Sequence, residues 1–404
     1  MTALIHDWNA TTPPSPRRRV MLDDETLRDG LQSTSVRTPS IDEKLEILHL
    51  MESMGIDAAD IGLPGAGPHV AGDVERLARE IIDHRLRIRP NAAARTMVAD
   101  IRPIAEISQR VGRPLEVAAF IGSSHIRQYA EGWTVDFLER TTVEAISFAT
   151  REGLPVLYVT EDTTRAHPEA LRRLYLAALR AGATRLCIAD TVGHATPPGV
   201  TNLVRFVQGL IDESGCEAEI DWHGHQDRGL AIANTLAAID AGATRVHATA
   251  LGIGERCGNT QMDVLLVNLV LQGYLERDLT KLDEYCALVS RACEVEIPRN
   301  YPVVGYDAFR TQTGVHASAI VKAYQKHDDA LADAVYSAIP AAMVGRRQEI
   351  EVGPMSGKSN VVFWLTSRGL PADDDAVVDR ILQKAKRASA VLREDEILAE
   401  IPSP

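Results

Sequence analysis

Near the N-terminus, acidic and basic side chains are concentrated in one short segment, Asp24-Glu25-Thr26-Leu27-Arg28-Asp29-Gly30, with Gln32 close behind. Carboxylates can hold a cation, and a guanidinium can stabilise negative charge that develops on a carbonyl oxygen. The segment follows a short apolar run that is predicted to be the first strand. It could therefore form a metal and carbonyl site, although a salt-bridged loop would have the same composition.

Two histidines stand two residues apart in the segment Trp222-His223-Gly224-His225-Gln226-Asp227. Alternate residues of a strand face the same side, so both imidazoles can point toward one cation. The pair comes at the end of the seventh predicted strand. This position favours a metal role, and a pair of hydrogen-bonded core histidines is the alternative.

A third segment, Gly252-Ile253-Gly254-Glu255-Arg256-Cys257-Gly258-Asn259, follows the eighth predicted strand. Its glycine spacing differs from the dinucleotide-binding fingerprint, and its place in the chain is wrong for one. The glycines more plausibly let the backbone approach a ligand closely. Asn259 could add an oxygen ligand, whereas Cys257 is interpreted as a packed thiol rather than a nucleophile, because the sequence supplies no evident base for it.

Two more polar segments, residues 160–165 and 190–197, also follow predicted strands. Each could be ordinary loop chemistry, since Asp, Thr and Pro favour caps and turns. Independent loop decoration would scatter polar clusters over both ends of the strands. Five clusters at the same end therefore indicate one shared site.

The elements that must position these clusters alternate between short apolar runs and helix-period segments. The eight predicted strands cover residues 20–24, 58–62, 86–89, 115–121, 156–160, 185–190, 218–223 and 245–250. The pentapeptide Ala-Gly-Ala-Thr-Arg occurs at 181–185 and again at 241–245, where its glycine suits a helix C-cap before a strand. Eight such units over about 255 residues favour a (β/α)₈ TIM barrel, with an open doubly wound sheet as the alternative.

The chain divides into three predicted regions. Residues 1–19 form a disordered lead-in, residues 20–275 the barrel, and residues 276–404 a small, mostly helical C-terminal region. Helices are predicted there at 282–295, 313–324, 327–337 and 376–398. The fold class is therefore α/β, a barrel followed by a helical appendage.

Composition excludes several classes of partner. The chain has 43 basic and 56 acidic residues, a net charge of −13, which argues against nucleic-acid binding by counterion release. No apolar run approaches the roughly 18 residues of a membrane span, and the N-terminus has no apolar signal core. Five cysteines without a CxxC pair indicate a reducing compartment, so a cytoplasmic location is expected.

Taken in order, the strings DETLRDG, IADTVG, HGHQD and GIGERCGN resemble those of the DRE-TIM metallolyase superfamily. The most similar branch is the 2-isopropylmalate, homocitrate and citramalate synthases. The resemblance covers residues 20–275 and continues more weakly through 308–360. It implies a TIM barrel, a divalent cation (Mg²⁺, Mn²⁺, Co²⁺ or Zn²⁺), and an acyltransferase that joins acetyl-CoA to a 2-oxo acid and releases a 2-alkylmalate and CoA.

The resemblance also implies a role for individual residues. The matched metal ligands are Asp29, His223, His225 and, less directly, Asn259. The matched catalytic residues are Arg28, Glu161 and His316, and Gln32 and Thr191 match substrate-binding positions. In this scheme the oxo acid chelates the metal, Arg28 stabilises the developing oxyanion and Thr191 binds the carboxylate of the oxo acid.

The base that removes a proton from acetyl-CoA is expected to be Glu161 or His316. In related synthases the C-terminal region lies over the neighbouring subunit's barrel, which implies a homodimer in which this region acts as a lid. A surface-helix histidine is the alternative for His316. After Lys358 only 46 residues remain, so the regulatory domain of the longer synthases is not expected.

Two departures bear on the type of reaction. Leu31 stands where the synthases usually carry Glu, and Arg-Asp-Gly-Leu-Gln is similar to the hydroxymethylglutaryl-CoA lyases of the same superfamily. The loop Gly-Glu-Arg-Cys-Gly-Asn has the synthase form, which favours a synthase, with a carbon–carbon lyase as the alternative. The typical C-terminal motif of these synthases, His-x-x-Gly-x-His, stands here as Thr311-Gln312-Thr313-Gly314-Val315-His316 and lacks its first histidine. A non-catalytic scaffold is disfavoured, because a scaffold has no need of a metal-and-arginine site.

Substrate choice depends on Leu157, which stands where homocitrate synthases place an arginine for the distal carboxylate of 2-oxoglutarate. An apolar side chain suits 2-oxoisovalerate or pyruvate, so a 2-isopropylmalate synthase is the preferred interpretation. Homocitrate and citramalate synthases are the alternatives. Arg95 or Arg127 could supply the missing cation, and the string His-Ala-Ser-Ala at 316–319 is more similar to the homocitrate branch.

Overall fold

The computed structural model describes residues 4–6, 8–9 and 19–402. The lead-in predicted as disordered, residues 1–19, lies largely outside the described residues. Two compact units are present. One comprises Arg17–Arg277 and Glu284–Glu296, and the other consists mainly of Asp278–Asp283 and Ile297–Pro404.

The first unit is built on eight parallel strands that close into a barrel in sequence order, with β8 paired to β1. The strands are β1 (Met21–Asp24), β2 (Ala58–Asp60), β3 (Arg89–Arg95), β4 (Glu116–Gly122), β5 (Val156–Glu161), β6 (Arg185–Asp190), β7 (Glu219–Gly224) and β8 (Arg245–Ala248). The closing register pairs Asp24 with Ala248. This closure confirms the predicted (β/α)₈ barrel over an open sheet.

Helices connect the strands and surround the barrel. They are α1 (Ile41–Ser53), α2 (Pro68–Asp83), α3 (Val98–Val111), α4 (His125–Glu131), α5 (Val135–Arg151), α6 (Pro168–Ala181), α7 (Pro197–Ser214), α8 (Ala231–Ala241), α9 (Met262–Leu271) and α10 (Leu282–Cys293). Both copies of the repeated pentapeptide end a helix as predicted. Gly182 and Gly242 have φ of +108° and +124°, which favours glycine.

The third strand lies later in the chain than predicted. The sequence analysis placed it at residues 86–89, whereas β3 covers Arg89–Arg95. Its residues, Arg-Pro-Asn-Ala-Ala-Ala-Arg, are poor strand formers, and a proline argues against a central strand. Pro90 is nevertheless accommodated at the second position of the strand, where it and the next four residues are buried. Tertiary context thus outweighs local propensity here.

The second unit is mostly helical, as predicted. It contains β9 (Arg310–Thr311), α11 (Gly314–Gln325), α12 (Asp329–Ala334), β10 (Glu349–Ile350), α13 (Lys358–Thr366), α14 (Asp375–Arg387) and α15 (Glu394–Leu398). The prediction of one helix over 376–398 is wrong. Ala388 is extended (ψ 155°), and Leu392 donates its N–H to Val352 O at 2.8 Å. Both side chains belong to one apolar core, so packing favours the break.

Within the described part of the chain, no helix is long and apolar enough to cross a membrane.

Candidate active site

Three segments that are far apart in the sequence meet where strands β7, β8 and β1 end, because these strands are neighbours in the closed barrel. Nε2 of His223 and Nε2 of His225 lie 3.8 and 3.6 Å from Oδ2 of Asp29. Two ligand atoms that are each about 2.1 Å from one ion can be at most about 4.2 Å apart. Since the ligand atoms of all three residues lie within 4.8 Å of one another, the carboxylate and both imidazoles can share one cation.

Asn259, the fourth predicted ligand, contacts this cluster. Its amide nitrogen donates to Oδ2 of Asp29 at 2.7 Å and to the carbonyl of Ile253 at 3.1 Å. Its buried Oδ1 has no hydrogen-bond partner among the residues that the structure describes. Gly254 has φ +149°, and a Cβ there would collide with the Asn259 amide. This glycine thus allows the loop to present Asn259, whose carbonyl oxygen is free to bind a ligand.

The protonation states favour metal binding. Burial, followed by the neighbouring His223, lowers the pKa of His225 to about 4, so this imidazole is neutral at pH 7. Burial would raise the pKa of Asp29, but Arg28 and His223 outweigh it, and the pKa lies below its usual range. A deprotonated carboxylate and a neutral imidazole are the forms that bind a metal. With the unpartnered amide oxygen, this mixed O and N set fits a divalent cation.

Arg28 lies beside this cluster and contacts three carboxylates. Its Nε is 2.7 Å from Asp60, and its two terminal nitrogens are 2.8 Å from Asp29 and 2.9 Å from Glu25. Burial would lower the pKa of Arg28, but Glu25 and the other carboxylates raise it well above the usual value. The guanidinium is therefore a fixed positive charge, 17% exposed, next to the candidate metal position.

Asp60 was not identified from the sequence. It ends β2, and burial raises its pKa to about 7 despite the nearby Arg28. A lone aspartate in an apolar strand carries no signal that distinguishes it from a capping residue.

A cavity of about 310 Å³ adjoins the cluster. Its polar lining includes three residues that were predicted from the sequence, Gln32, Glu161 and Thr191. It also includes Arg256, which was not predicted as a site residue. Its apolar lining is Ala93, Ala118, Phe120, Leu157, Val159, Cys187 and Ala189. The structure therefore brings Arg28, Gln32, Leu157, Glu161 and Thr191 to one cavity. The other apolar residues were missed, because only the pairing of β3 to β6 shows which small residues face the cavity.

Two cavity residues are chemically poised. Burial raises the pKa of Glu161, while Arg127 and Arg28 oppose this shift. The hydroxyl oxygen of Thr191 accepts the N–H of Asp162 at 2.8 Å, so its own proton can be donated to a ligand. The environment of Glu161 is therefore suited to a general base, and Thr191 can serve as a hydrogen-bond donor.

Two predicted contributors, Arg95 and Arg127, are not brought into the cavity. Arg95 pairs with Asp100 through two hydrogen bonds of 2.6 and 3.0 Å, is 61% exposed and does not line the cavity. Arg127 pairs with Glu131 and does not line it either. The prediction of a packed thiol at Cys257 is wrong, because this residue is exposed. Cys257 does not line the cavity.

His316 belongs to the other compact unit. It lies in the first turn of α11 and stacks on Tyr336, with ring centroids 4.1 Å apart. Its role in the barrel's chemistry stays a prediction.

Three groups behind the cluster, Glu25, His247 and Asp221, were not assigned a role from the sequence. Oε2 of Glu25 is 2.8 Å from Nδ1 of His223, and Oε1 is 2.9 Å from Nδ1 of His247. Nε2 of His247 in turn lies 2.9 Å from Asp221. Burial would lower the pKa of His247, but Glu25 and Asp221 outweigh it and raise the pKa to about 10. The only sequence signal was Glu25's place in the first motif.

The loop that carries Asn259 is tied to its neighbours. Arg256, with φ +55°, bonds to Asp227 at 2.8 Å and to the carbonyl of Thr191 at 2.5 Å. The segments after β6, β7 and β8 are thereby joined at the rim of the cavity.

Comparison with known proteins gives a consistent family. A family profile described as HMGL-like matches residues 19–289. The chain is 32% identical to a probable 2-isopropylmalate synthase of Methanopyrus kandleri, over 91% of this chain and 69% of that protein. It is 32% identical to a putative (R)-citramalate synthase of the same organism, over 95% and 71%. It is 29% identical to a homocitrate synthase of Methanocaldococcus jannaschii, over 98% and 94%.

Solved structures show the same fold. The HMG-CoA lyase of Bacillus subtilis is similar with a TM-score of 0.58 and 19% identity, over 71% of this chain and 98% of that one.

Proposed function

Because the chain belongs to the HMGL-like family, we propose that it is a divalent-metal-dependent acyltransferase that condenses acetyl-CoA with a 2-oxo acid. The observation that carries this proposal is the meeting of Asp29, His223 and His225 beside the guanidinium of Arg28, at the mouth of a cavity. Relatives with about 30% identity over most of the chain are named as synthases of this kind.

Asp29, His223 and His225 would hold the cation, with the carbonyl oxygen of Asn259 beside it. When bound, the metal supplies Lewis acidity toward the carbonyl of the oxo acid. Arg28 supplies a second, fixed positive charge for the oxygen that becomes negative as the new carbon–carbon bond forms. Thr191 donates its hydroxyl proton to the carboxylate of the oxo acid.

The reaction needs a base for the methyl group of acetyl-CoA. We assign this role to Glu161, whose raised pKa makes it a stronger base than an exposed glutamate. The methyl carbon then bonds to the keto carbon, the former keto oxygen takes up a proton, and water hydrolyses the thioester with release of CoA as a thiol. His316 is the alternative base, contributed by the C-terminal unit of the second subunit in a homodimer.

The side chain of the oxo acid is expected to be apolar. Leu157 is 1% exposed and packs with Ala118 and Cys187 in one cluster of the lining. The two arginines of the lining are already paired, Arg28 with three carboxylates and Arg256 with Asp227. A second carboxylate on the substrate would thus lack a cation, which costs several kcal/mol. We therefore propose 2-oxoisovalerate as the preferred substrate and 2-isopropylmalate as the product.

A thiol-release assay tests this function. The metal-loaded protein is supplied with acetyl-CoA and, in turn, pyruvate, 2-oxoisovalerate, 2-oxoglutarate or oxaloacetate. We expect CoA release that depends on the oxo acid, is fastest with 2-oxoisovalerate and stops when a chelator removes the metal. If none of the four acids supports thiol release and the protein cleaves 3-hydroxy-3-methylglutaryl-CoA, it is instead a lyase.

A further inference from the structure

A chain of buried charged groups lies behind the candidate metal ligands. It begins at Arg245, whose Nε is 2.6 Å from Asp221, and continues from Asp221 to His247 at 2.9 Å. His247 then contacts Glu25 at 2.9 Å, and Glu25 contacts His223 at 2.8 Å. All five side chains are at most 11% exposed. This series of charged groups therefore links the interior of the barrel to one candidate metal ligand.

The contacts of Glu25 decide which nitrogen of His223 faces the metal position. Its Oε2 lies 2.8 Å from Nδ1 of His223, a close contact without hydrogen-bond geometry in this structure, and Nε2 lies on the side of Asp29. A carboxylate that accepts the second ring N–H of a metal-binding histidine fixes both its tautomer and its orientation. Glu25 can do this only if its own carboxylate is held in place.

His247 is the group that holds Glu25 from behind. Both of its ring nitrogens lie against carboxylates, Nδ1 against Glu25 and Nε2 against Asp221. Asp221 is in turn bonded by Arg185 at 2.7 Å and Arg245 at 2.6 Å. Although the His247 ring lies 5.8 Å from that of His223, these contacts leave neither nitrogen available as a further metal ligand.

We propose that His247 is a positioning residue for the metal site: its Nδ1–H orients Glu25, and Glu25 presents Nε2 of His223 to the cation. This inference rests on the proposed function of the same site. In this inference, a residue that does not touch the metal influences the affinity of the site for the metal. The hydrogen bond from His247 to Glu25 determines this affinity, and the mere presence of a side chain in the barrel interior does not.

Two substitutions separate these roles. In His247→Asn the side-chain amide lies near the place of Nδ1 and can still donate to Glu25. In His247→Gln the amide lies near the place of Nε2 and can donate to Asp221, but not to Glu25. Each variant removes one positive charge and one buried hydrogen bond, so a merely structural role would affect both alike.

The measurement is calorimetric titration of Mn²⁺ into the metal-free full-length protein, with thermal unfolding as the stability control. We expect His247→Gln to bind Mn²⁺ about 10–100-fold more weakly than the wild type, the usual effect of losing such a partner. His247→Asn is expected to stay within about threefold. Nitrogen NMR of the histidines should show one tautomer of His223 in the wild type and in His247→Asn, and a mixture in His247→Gln.

Equal Mn²⁺ affinities in the two variants would overturn the inference, whether both fall or neither does. Glu25→Gln provides a second test if a His247 variant does not fold, because wild-type affinity in Glu25→Gln would also overturn it. His223→Ala separates this failure from failure of the proposed function. If His223→Ala abolishes Mn²⁺ binding while the His247 variants are equal, only the role of His247 is lost. If His223→Ala binds Mn²⁺ normally, the metal site itself is refuted.

Discussion

Replacement of Arg28 by lysine removes the guanidinium fork but keeps a positive charge. The fork directs three nitrogens at Asp60, Asp29 and Glu25, at 2.7, 2.8 and 2.9 Å. A single ammonium nitrogen cannot occupy three separate positions, so we expect one or two of these bonds to be lost. A hydrogen bond between charged groups contributes about 1.5–3 kcal/mol, and loss of one or two of them should therefore cost Arg28→Lys about 1.5–6 kcal/mol of unfolding free energy.

The effect on turnover should be separate from this loss. Arg28 provides preorganised positive charge for the developing oxyanion, and removal of one such donor costs about 10²–10³-fold in kcat. The assay is thiol release from acetyl-CoA with saturating 2-oxoisovalerate, at a temperature at which both proteins are folded. Metal content is measured on the same samples, because Arg28 also contacts Asp29.

Arg165→Lys is the matched control. Arg165 also makes a two-pronged contact, with Asp162 at 2.7 and 2.8 Å, but it does not line the cavity. Its replacement should leave kcat within about twofold. A kcat for Arg28→Lys within threefold of the wild type, with full metal content, would refute the role given to the guanidinium.

Three further predictions concern the cavity. Glu161→Gln should lower kcat/KM and remove the acid limb of its pH profile. Burial raises the pKa of Glu161, so wild-type activity falls as the pH drops through that pKa. An unchanged acid limb in the variant would exclude Glu161 as the base. Leu157→Ala should lose about 2–5 kcal/mol of stability and weaken discrimination for 2-oxoisovalerate over bulkier oxo acids in the thiol-release assay, whereas unaltered preference would show that Leu157 does not contact the substrate. Arg95→Ala should leave the KM for every oxo acid unchanged, since Arg95 pairs with Asp100 outside the cavity, and a large rise in KM would restore its predicted substrate role.

The metal cluster could be predicted from the sequence because closure of the barrel brings the ends of the relevant strands together. Asp29 and Asn259 follow strands β1 and β8, and His223 lies at the end of β7. These strands are adjacent once the barrel closes. Knowledge of the strand ends was thus enough to expect that the side chains meet. The same reasoning placed Glu161 and Thr191 at the cavity.

The buried contacts behind the metal cluster could not be predicted in this way. The contacts among Glu25, His247 and Asp221 depend on the register between strands, which pairs Asp23 with His247, and on the lengths of buried side chains. Arg95 was misjudged for a related reason. The third strand was predicted too early, so its end was not recognised as the place where Arg95 turns toward Asp100.

The central claim, one divalent cation held by Asp29, His223 and His225, can be tested by anomalous diffraction from a crystal of the protein soaked in Mn²⁺. The account predicts a single strong peak within about 2.0–2.3 Å of Oδ2 of Asp29 and of Nε2 of both histidines. A peak bound by other side chains, or no peak at this end of the barrel at saturating Mn²⁺, would contradict it.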